Sequence, residues 1–188
     1  SALLEAMAEF QVSADGETLA LPKPFMVIAT QNMLESHGVF PLPDSQLDRF
    51  LIRTSLGLPS EAQEVEILTR SEHGLPEPSA VVSTDDVVML QEVVRQVNVA
   101  LPLKEYLAGL AKASREHPLV LIGMSPRGTV LLQQAAQGWA AFEGRSYVVP
   151  EDVKQVAHLV VPHRIARRPG PEMTEEEIVR EILETVPV

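Results

Sequence analysis

The sequence contains no cysteine and few lysines, and both absences limit its chemistry. Without cysteine there is no disulfide, no thiolate zinc site and no thiol nucleophile. The four lysines, none of which follows a glycine, are Lys23, Lys104, Lys112 and Lys154. Because the loop that cradles nucleotide phosphates has the pattern G-x-x-x-x-G-K-[ST], that loop is absent from this sequence. An apolar strand ending in Asp-Glu, which would hold Mg²⁺, is also absent.

Basic residues are outnumbered by acidic ones, with 15 Lys and Arg against 26 Asp and Glu, which gives a net charge of −11 over 188 residues. Nucleic acids and anionic membranes are bound through basic surfaces, so the charge argues against both as partners. No apolar run approaches the length of about 18 residues that a membrane span requires. The 45% hydrophobic content is sufficient for a buried core. The lack of cysteine is consistent with a reducing, cytoplasmic location.

Metal and serine-hydrolase sites are not predicted. His158 and His163 lie five residues apart, but no H-E-x-x-H pattern accompanies them, and we predict no metal site. The sequence Gly123-Met-Ser-Pro-Arg127 has some likeness to a nucleophile elbow but lacks its closing glycine. A basic cluster at 163–168 is too short to outweigh the acidic charge, and we expect it to meet an acidic neighbouring subunit.

The first part of the chain, residues 1–72, has the pattern of a partial α/β unit. Residues 1–9 have helical spacing, and residues 10–21 have the pattern of a β-hairpin with Asp15-Gly16 as a type I′ turn. The run Phe25 to Ala29 is continuously apolar, which is typical of a central strand covered on both faces. A second strand is predicted over Leu51 to Leu56.

The second part, residues 73–188, has the pattern of a helical domain that follows a linker at 71–83. Four helix starts are marked by capping residues or a proline at the first position, at Ser60, Ser83 or Thr84, Ser125-Pro126 and Thr174. Five helices are predicted after the linker, and Gly144 is expected to close the third.

Three polar residues occupy positions where a functional role competes with an ordinary one. Asn32 follows the apolar strand, where an amide can bind water and a phosphate oxygen or simply end the strand. Arg49, within Leu47-Asp-Arg-Phe50, presents a rigid fork that suits phosphate or forms a surface ion pair with Asp48 or Asp44.

Arg127 falls in the first turn of the helix that Ser125 and Pro126 begin. A cation there faces the positive end of the helix dipole, at a cost of about 0.3–1 kcal/mol. A bound phosphate would remove that cost, because helix N-termini and guanidinium groups both bind anions. The alternative is that the Arg127 side chain extends into water.

Taken together, the ordered motifs strongly resemble the MoxR family of AAA+ ATPases over nearly the whole chain. The segments that carry the resemblance are Ser1 to Met7, Gln11 to Gly16, Phe25 to Asn32, Gly38 to Phe50, Gly123 to Gly128 and Tyr147 to Val153. The resemblance implies part of an AAA+ α/β core with a β-hairpin before sensor 1, followed by an all-α lid domain.

The resemblance also implies roles for the three polar residues. Asn32 matches sensor 1, which orients the attacking water, and Arg49 matches the arginine finger, which reaches into the neighbouring subunit's site. Arg127 matches sensor 2, which lies on the lid and contacts the nucleotide. Family members use ATP and Mg²⁺, form hexameric rings, remodel other proteins and often work with a partner that contains a von Willebrand factor A domain.

The family's Walker A and B motifs precede the residue that matches Ser1, so ATP and Mg²⁺ are expected to be bound mainly by residues outside this sequence. We therefore expect a fragment that is inactive alone and whose strand at 25–30 exposes apolar surface. Val149 stands where the family commonly has a capping threonine. The alternative function is a non-enzymatic, acidic helical module that binds a protein partner.

Overall fold

The computed structural model describes residues 2–14, 16–31, 42–74, 77–170 and 173–188. It is a mixed α/β chain with eight α-helices and two small antiparallel sheets in these ranges. This arrangement is the one expected of a partial α/β unit followed by a helical domain. No helix in the described ranges is both long and apolar enough to cross a membrane.

The first part of the chain begins with helix α1 (Ala2–Glu9) and the hairpin of β1 (Gln11–Ala14) and β2 (Glu17–Ala20). Ala14 pairs with Glu17, which confirms the two-residue connection predicted for the hairpin. Gly16 has φ +83°, a left-handed conformation that glycine adopts without a steric cost.

The two strands predicted over 25–29 and 51–56 were wrong for the described residues: neither segment pairs with another strand. A strand is defined by hydrogen bonds to a neighbour, and apolar sequence alone does not supply that neighbour. The expected exposure of apolar surface is confirmed, since Met26 and Ile28 are 76% and 80% exposed.

Two helices connect this region to the second part. The short helix α2 (Asp44–Leu47) precedes Arg49, and α3 (Glu61–His73) begins with the predicted capping box. Ser60 accepts from the Gln63 backbone N–H, and the Gln63 side chain accepts from the Ser60 N–H. Helix α3 runs three residues beyond the predicted end at Arg70, and its described side chains are all exposed.

The second part holds the hydrophobic core. Its helices are α4 (Thr84–Gln96), α5 (Leu101–Glu116), α6 (Pro126–Phe142), α7 (Pro150–Val160) and α8 (Glu175–Thr185), with a 3-10 helix at Pro162–Arg164. All five predicted helices are therefore confirmed. Strand β3 (Val120–Ile122) pairs with β4 (Ala166–Arg167), which the sequence did not predict.

Almost all buried apolar side chains of the described residues belong to this part, between Val97 and Ile182. Helices α5 and α8 pack against the pair formed by α6 and α7. Leu132, Ala136 and Ala140 lie on one face of α6 and have no exposed surface. This spacing of four residues is that of a helix with one apolar face. The core thus fixes the N-termini of α6 and α7 relative to each other.

Candidate functional site

The three residues predicted for the site differ in what the structure shows of them. Asn32 lies outside the described residues. Arg49 is half-buried in the turn after α2, and Arg127 is exposed at the second position of α6.

Local hydrogen bonds position Arg127 as the sequence predicts. Ser125 is the N-cap of α6, and its Oγ accepts from the Gly128 backbone N–H at 3.0 Å. Pro126 is the first helical residue, and the first turn of α6 contains no acidic side chain. Arg127 therefore lies at the positive end of the helix dipole, where a bound anion would be stabilised.

The segment that carries Arg49 is a series of tight turns. The Asp48 N–H donates to Asp44 O at 2.9 Å, the Arg49 N–H donates to Gln46 O at 3.2 Å, and the next N–H donates to Leu47 O at 3.1 Å. These bonds satisfy the backbone after a helix of only four residues. The backbone at Arg49 is thereby fixed within the segment.

Asp48, which directly precedes Arg49, links this segment to α6. The Ser125 hydroxyl donates to Asp48 Oδ2 at 3.0 Å across a sequence separation of 77 residues. Ser125 therefore caps α6 as an acceptor and binds Asp48 as a donor, which uses both capacities of its hydroxyl. The residue directly before Arg49 and the residue two positions before Arg127 are thus in direct contact.

The other oxygen of Asp48 pairs with a buried arginine. Asp48 Oδ1 lies 3.2 Å from Arg164 Nε, and the Arg164 side chain has no exposed surface. Burial lowers the pKa of Arg164 to about 10, against which the Asp48 charge raises it. Arg164 thus stays protonated at neutral pH, and its charge is paired with the carboxylate of Asp48.

His163 lies beside this pair and is uncharged at neutral pH. Burial, followed by the charge of Arg164, lowers the pKa of His163 to about 4. Its Nε2 lies 3.1 Å from the Phe50 carbonyl oxygen. The His163 imidazole thus adds a polar contact to the segment of Arg49 without adding another positive charge.

Two interpretations from the sequence are corrected here. The basic cluster was expected to meet a neighbouring subunit, but Arg164 is buried within this chain and Arg167 pairs with Glu175 at 2.8 Å. The suggested ion pair of Arg49 with Asp48 or Asp44 is not found among the described residues; Asp48 pairs with Arg164 instead.

Metal binding finds no support in the part of the chain that the structure describes, since no three His, Cys, Asp or Glu side chains cluster there. Sequence reasoning missed Asp48 and Arg164 as members of the site. Nothing in the spacing pairs two residues 116 positions apart, and the only signal was the position of Asp48 beside Arg49.

Each part of the chain matches the model of a known protein family. A family model described as "ATPase family associated with various cellular activities (AAA)" matches residues 1–52. A second model, described as "AAA lid domain", matches residues 112–182. The first match contains Arg49 and the second contains Arg127 and Arg164, so the contacts above join the two matched regions.

Individual relatives agree with these matches. The chain is 41% identical to "Uncharacterized protein YeaC" of Bacillus subtilis over 100% of this chain and 60% of that protein. It is 37% identical to "Chaperone MoxR1" of Mycobacterium tuberculosis over 99% of this chain and 52% of that protein. A crystal structure of a protein from Cytophaga hutchinsonii, assigned as an ATPase, superposes with TM-score 0.89 at 32% identity and covers 98% of this chain and 60% of that one.

These matches define an AAA+ unit in which part of the α/β core is followed by the helical lid. The chain belongs to the MoxR family of AAA+ ATPases. It spans between about half and three fifths of the length of the relatives above.

Proposed function

We propose that this chain is the sensor and lid part of an ATP-driven machine that remodels other proteins. In this proposal Arg49 and Arg127 stabilise negative charge on the phosphate groups of ATP. The observation that carries it is the Ser125–Asp48 hydrogen bond of 3.0 Å, which joins the segment of one arginine to the helix of the other. Among the described residues, neither arginine side chain makes an ion pair or a hydrogen bond, so both remain available for an anion.

The chemistry required of these residues is positioning and charge stabilisation. Phosphoryl transfer to water spreads negative charge over the equatorial oxygens, and a guanidinium group binds such oxygens with a rigid, permanently charged fork. The absence of an acid in the first turn of α6 fits a site for phosphate. Asn32 is assigned the role of orienting the attacking water.

ATP and Mg²⁺ are assigned mainly to residues outside this sequence, because the sequence has no phosphate-binding loop. When bound, ATP supplies the phosphoryl group that is transferred, and Mg²⁺ neutralises charge on its phosphate oxygens. This chain alone is expected to hydrolyse no ATP. A non-enzymatic module would differ in showing no Mg²⁺-dependent affinity for nucleotide in the full-length protein.

The functional assembly is proposed to be a ring of identical subunits, with six as the expected number. In the ring, Arg49 reaches the nucleotide of the neighbouring subunit. Since Asp48 ties its segment to the N-terminus of α6, we propose that Arg127 of the same subunit reaches that same nucleotide. Each site then receives both arginines from one neighbour.

Mixing subunits of the full-length protein tests this arrangement. Arg49→Ala and Arg127→Ala should each abolish hydrolysis and spare nucleotide binding. Each variant, mixed with subunits defective in their own phosphate-binding loop, should regain activity, because the loop-defective subunits supply both arginines. Mixing Arg49→Ala with Arg127→Ala should restore nothing, since every site then lacks one arginine.

Two outcomes would contradict the proposal in different ways. Activity in the mixture of Arg49→Ala with Arg127→Ala would show that the two arginines serve different sites. Full activity of the Arg49→Ala protein on its own would exclude a role for that residue in hydrolysis.

The proposed partners are a protein with a von Willebrand factor A domain and the substrate that is remodelled. The support is the resemblance to a family that includes a protein named as a chaperone. Addition of a protein with a von Willebrand factor A domain from the same organism should change the rate of ATP hydrolysis by the full-length ring. An unchanged rate and no co-sedimentation would count against this partner.

A further inference from the structure

The donors of Arg164 converge on the backbone at either side of Arg49. Nη2 donates to Asp48 O at 3.3 Å and also to Phe50 O, while Nη1 donates to Leu51 O at 3.3 Å. Three carbonyl groups within four residues are thus bound by a single side chain. A planar guanidinium with five donors can do this, whereas an ammonium group has three donors and no fixed plane.

Further contacts hold the same segment against the lid. The Arg53 N–H donates to Leu159 O at the end of α7 at 2.8 Å, and His163 Nε2 lies 3.1 Å from Phe50 O. Arg164 itself is anchored by a hydrogen bond from Nη1 to Val160 O. The segment 48–53 is therefore attached to α7 and to the 3-10 helix that follows it.

Arg164 also contacts the helix that carries Arg127. A Cβ atom at Gly128 would lie 2.9 Å from Arg164 Cδ and 2.7 Å from Met124 Cγ, so glycine leaves the space that the Arg164 side chain occupies. Gly128 is the residue that follows Arg127. One buried side chain thus touches both arginine-bearing elements.

We propose that Arg164 is a positioning residue, which fixes Arg49 relative to Arg127 and makes the segment of Arg49 move together with the lid. The inference rests on the proposed function, in which both arginines contact phosphate. Arg164 binds the backbone before and after Arg49, while the Arg49 side chain makes no hydrogen bond or ion pair among the described residues. The two guanidinium groups are then presented to the neighbouring nucleotide as one unit.

The expected size of the effect follows from the sensitivity of catalysis to geometry. A misplacement of about 1 Å at a positioning group can lower a rate about a hundredfold. Without Arg164, the turn at 48–51 retains its own backbone hydrogen bonds but loses the hydrogen bonds that Arg164 donates to it. The contacts with Ser125, His163 and Leu159 remain and hold the segment less firmly. We therefore expect Arg164→Met to lower kcat at least tenfold in the full-length protein and to leave the affinity for ATP nearly unchanged.

Subunit mixing separates positioning from a general structural defect. Arg164→Met subunits should regain activity when they are mixed with loop-defective subunits, because the latter supply a correctly placed Arg49 to the intact loops. A defect in the Arg164→Met subunit's own site would not be restored in this way. Failure of the mixture, while the mixture with Arg49→Ala subunits succeeds, would overturn the proposal.

A matched control is available three residues further on. Arg167 pairs with Glu175 through a partly exposed side chain, so Arg167→Met removes an arginine of the same region and should leave kcat unchanged. If Arg164→Met does not fold, Gly128→Ala displaces the Arg164 side chain without removing a polar group. It should give the same loss of kcat and the same restoration on mixing.

Amide hydrogen exchange provides a readout that does not depend on hydrolysis. Exchange at residues 48–53 should become at least tenfold faster in Arg164→Met and stay unchanged in Arg167→Met. Unchanged exchange in Arg164→Met would exclude the attachment itself. Loss of activity with Arg49→Ala but not with Arg164→Met would contradict this inference alone, whereas full activity with Arg49→Ala would contradict the proposed function.

Discussion

The carboxylate of Asp48 accepts a hydrogen bond from Ser125 at 3.0 Å and pairs with the buried guanidinium of Arg164 at 3.2 Å. One acidic side chain thereby connects the segment of Arg49, the cap of α6 and the 3-10 helix that follows α7. The Arg164 side chain has no exposed surface, so water does not stabilise its charge. Among the described residues, its one ion pair is with this carboxylate. The contribution of the Asp48–Arg164 pair can be measured as a change in the free energy of unfolding.

Asp48→Asn should destabilise the chain by about 3–5 kcal/mol, since it leaves a buried charge without its partner. The measurement is the free energy of unfolding in urea, followed by the fluorescence of Trp139, the one tryptophan of the chain. Asp44→Asn is the matched control, because Asp44 is exposed on α2 and should change the stability little. Equal effects of the two substitutions would show that the pair contributes nothing specific.

The stability should fall as the pH drops from about 6.5 towards 4. The pKa of His163 is lowered from 6.5 to about 4 by burial and by the charge of Arg164, so the unfolded chain binds the extra proton in this range. The contribution of His163 is therefore complete above the unfolded pKa and is lost as the pH falls through the folded one. Its full size is about 3 kcal/mol.

Urea denaturation at pH 7 and at pH 4.5 measures this dependence. His163→Gln should flatten it, while His158→Gln, which replaces an exposed histidine of α7, should leave the slope as it is. A slope that is the same in the native chain and in His163→Gln would refute the assignment.

Gly123→Ala should be destabilising by about 1–3 kcal/mol, because the new methyl group meets backbone. A Cβ atom there would lie 2.6 Å from the Cα atom of Arg115 in α5. Arg115 Nε donates to Met124 O at 2.8 Å, so the displacement would also shift the chain that leads into Ser125. The midpoint temperature of thermal unfolding should fall, and the rate of ATP hydrolysis by the full-length protein should fall as well.

Gly138→Ala is the control for that substitution. Gly138 lies inside α6 and no atom would be within 4 Å of its Cβ, so alanine should stabilise the helix by about 0.5–1 kcal/mol. Destabilisation by both substitutions to a similar extent would mean that the close approach of Gly123 to Arg115 is not the cause.

Val149→Thr should stabilise α7 by about 1 kcal/mol. Val149 is the N-cap and makes no side-chain hydrogen bond, while Asp152 Oδ2 already accepts from the Val149 N–H at 2.8 Å. A threonine hydroxyl would accept from the Asp152 N–H and complete the reciprocal pair. The free energy of unfolding measures the gain, and Val149→Ala, without a hydroxyl, should give none.

Helix starts in this chain were predictable because they depend on residues three positions apart. Ser83 accepts from the Asp86 N–H at 3.1 Å, and Thr174 accepts from the Glu177 N–H at 3.2 Å. Both helices begin where the sequence indicates. The strands were not predictable in the same way, since β3 pairs with residues more than forty positions away and Phe25 to Ala29 has no partner in the described ranges.

Residue type was enough to select Arg49 as a candidate, because its guanidinium is a rigid fork that suits phosphate. Local capping added the argument for Arg127, because a guanidinium beside a helix start suits phosphate wherever the helix lies. The contacts of Asp48 with Ser125 and Arg164 depend on how the core packs α6 against α7. Hydrogen bonds between distant residues form only once packing has brought their atoms within about 3 Å. Sequence therefore determined which groups are candidates for binding an anion, and tertiary structure decided that the elements carrying Arg49 and Arg127 share one buried attachment.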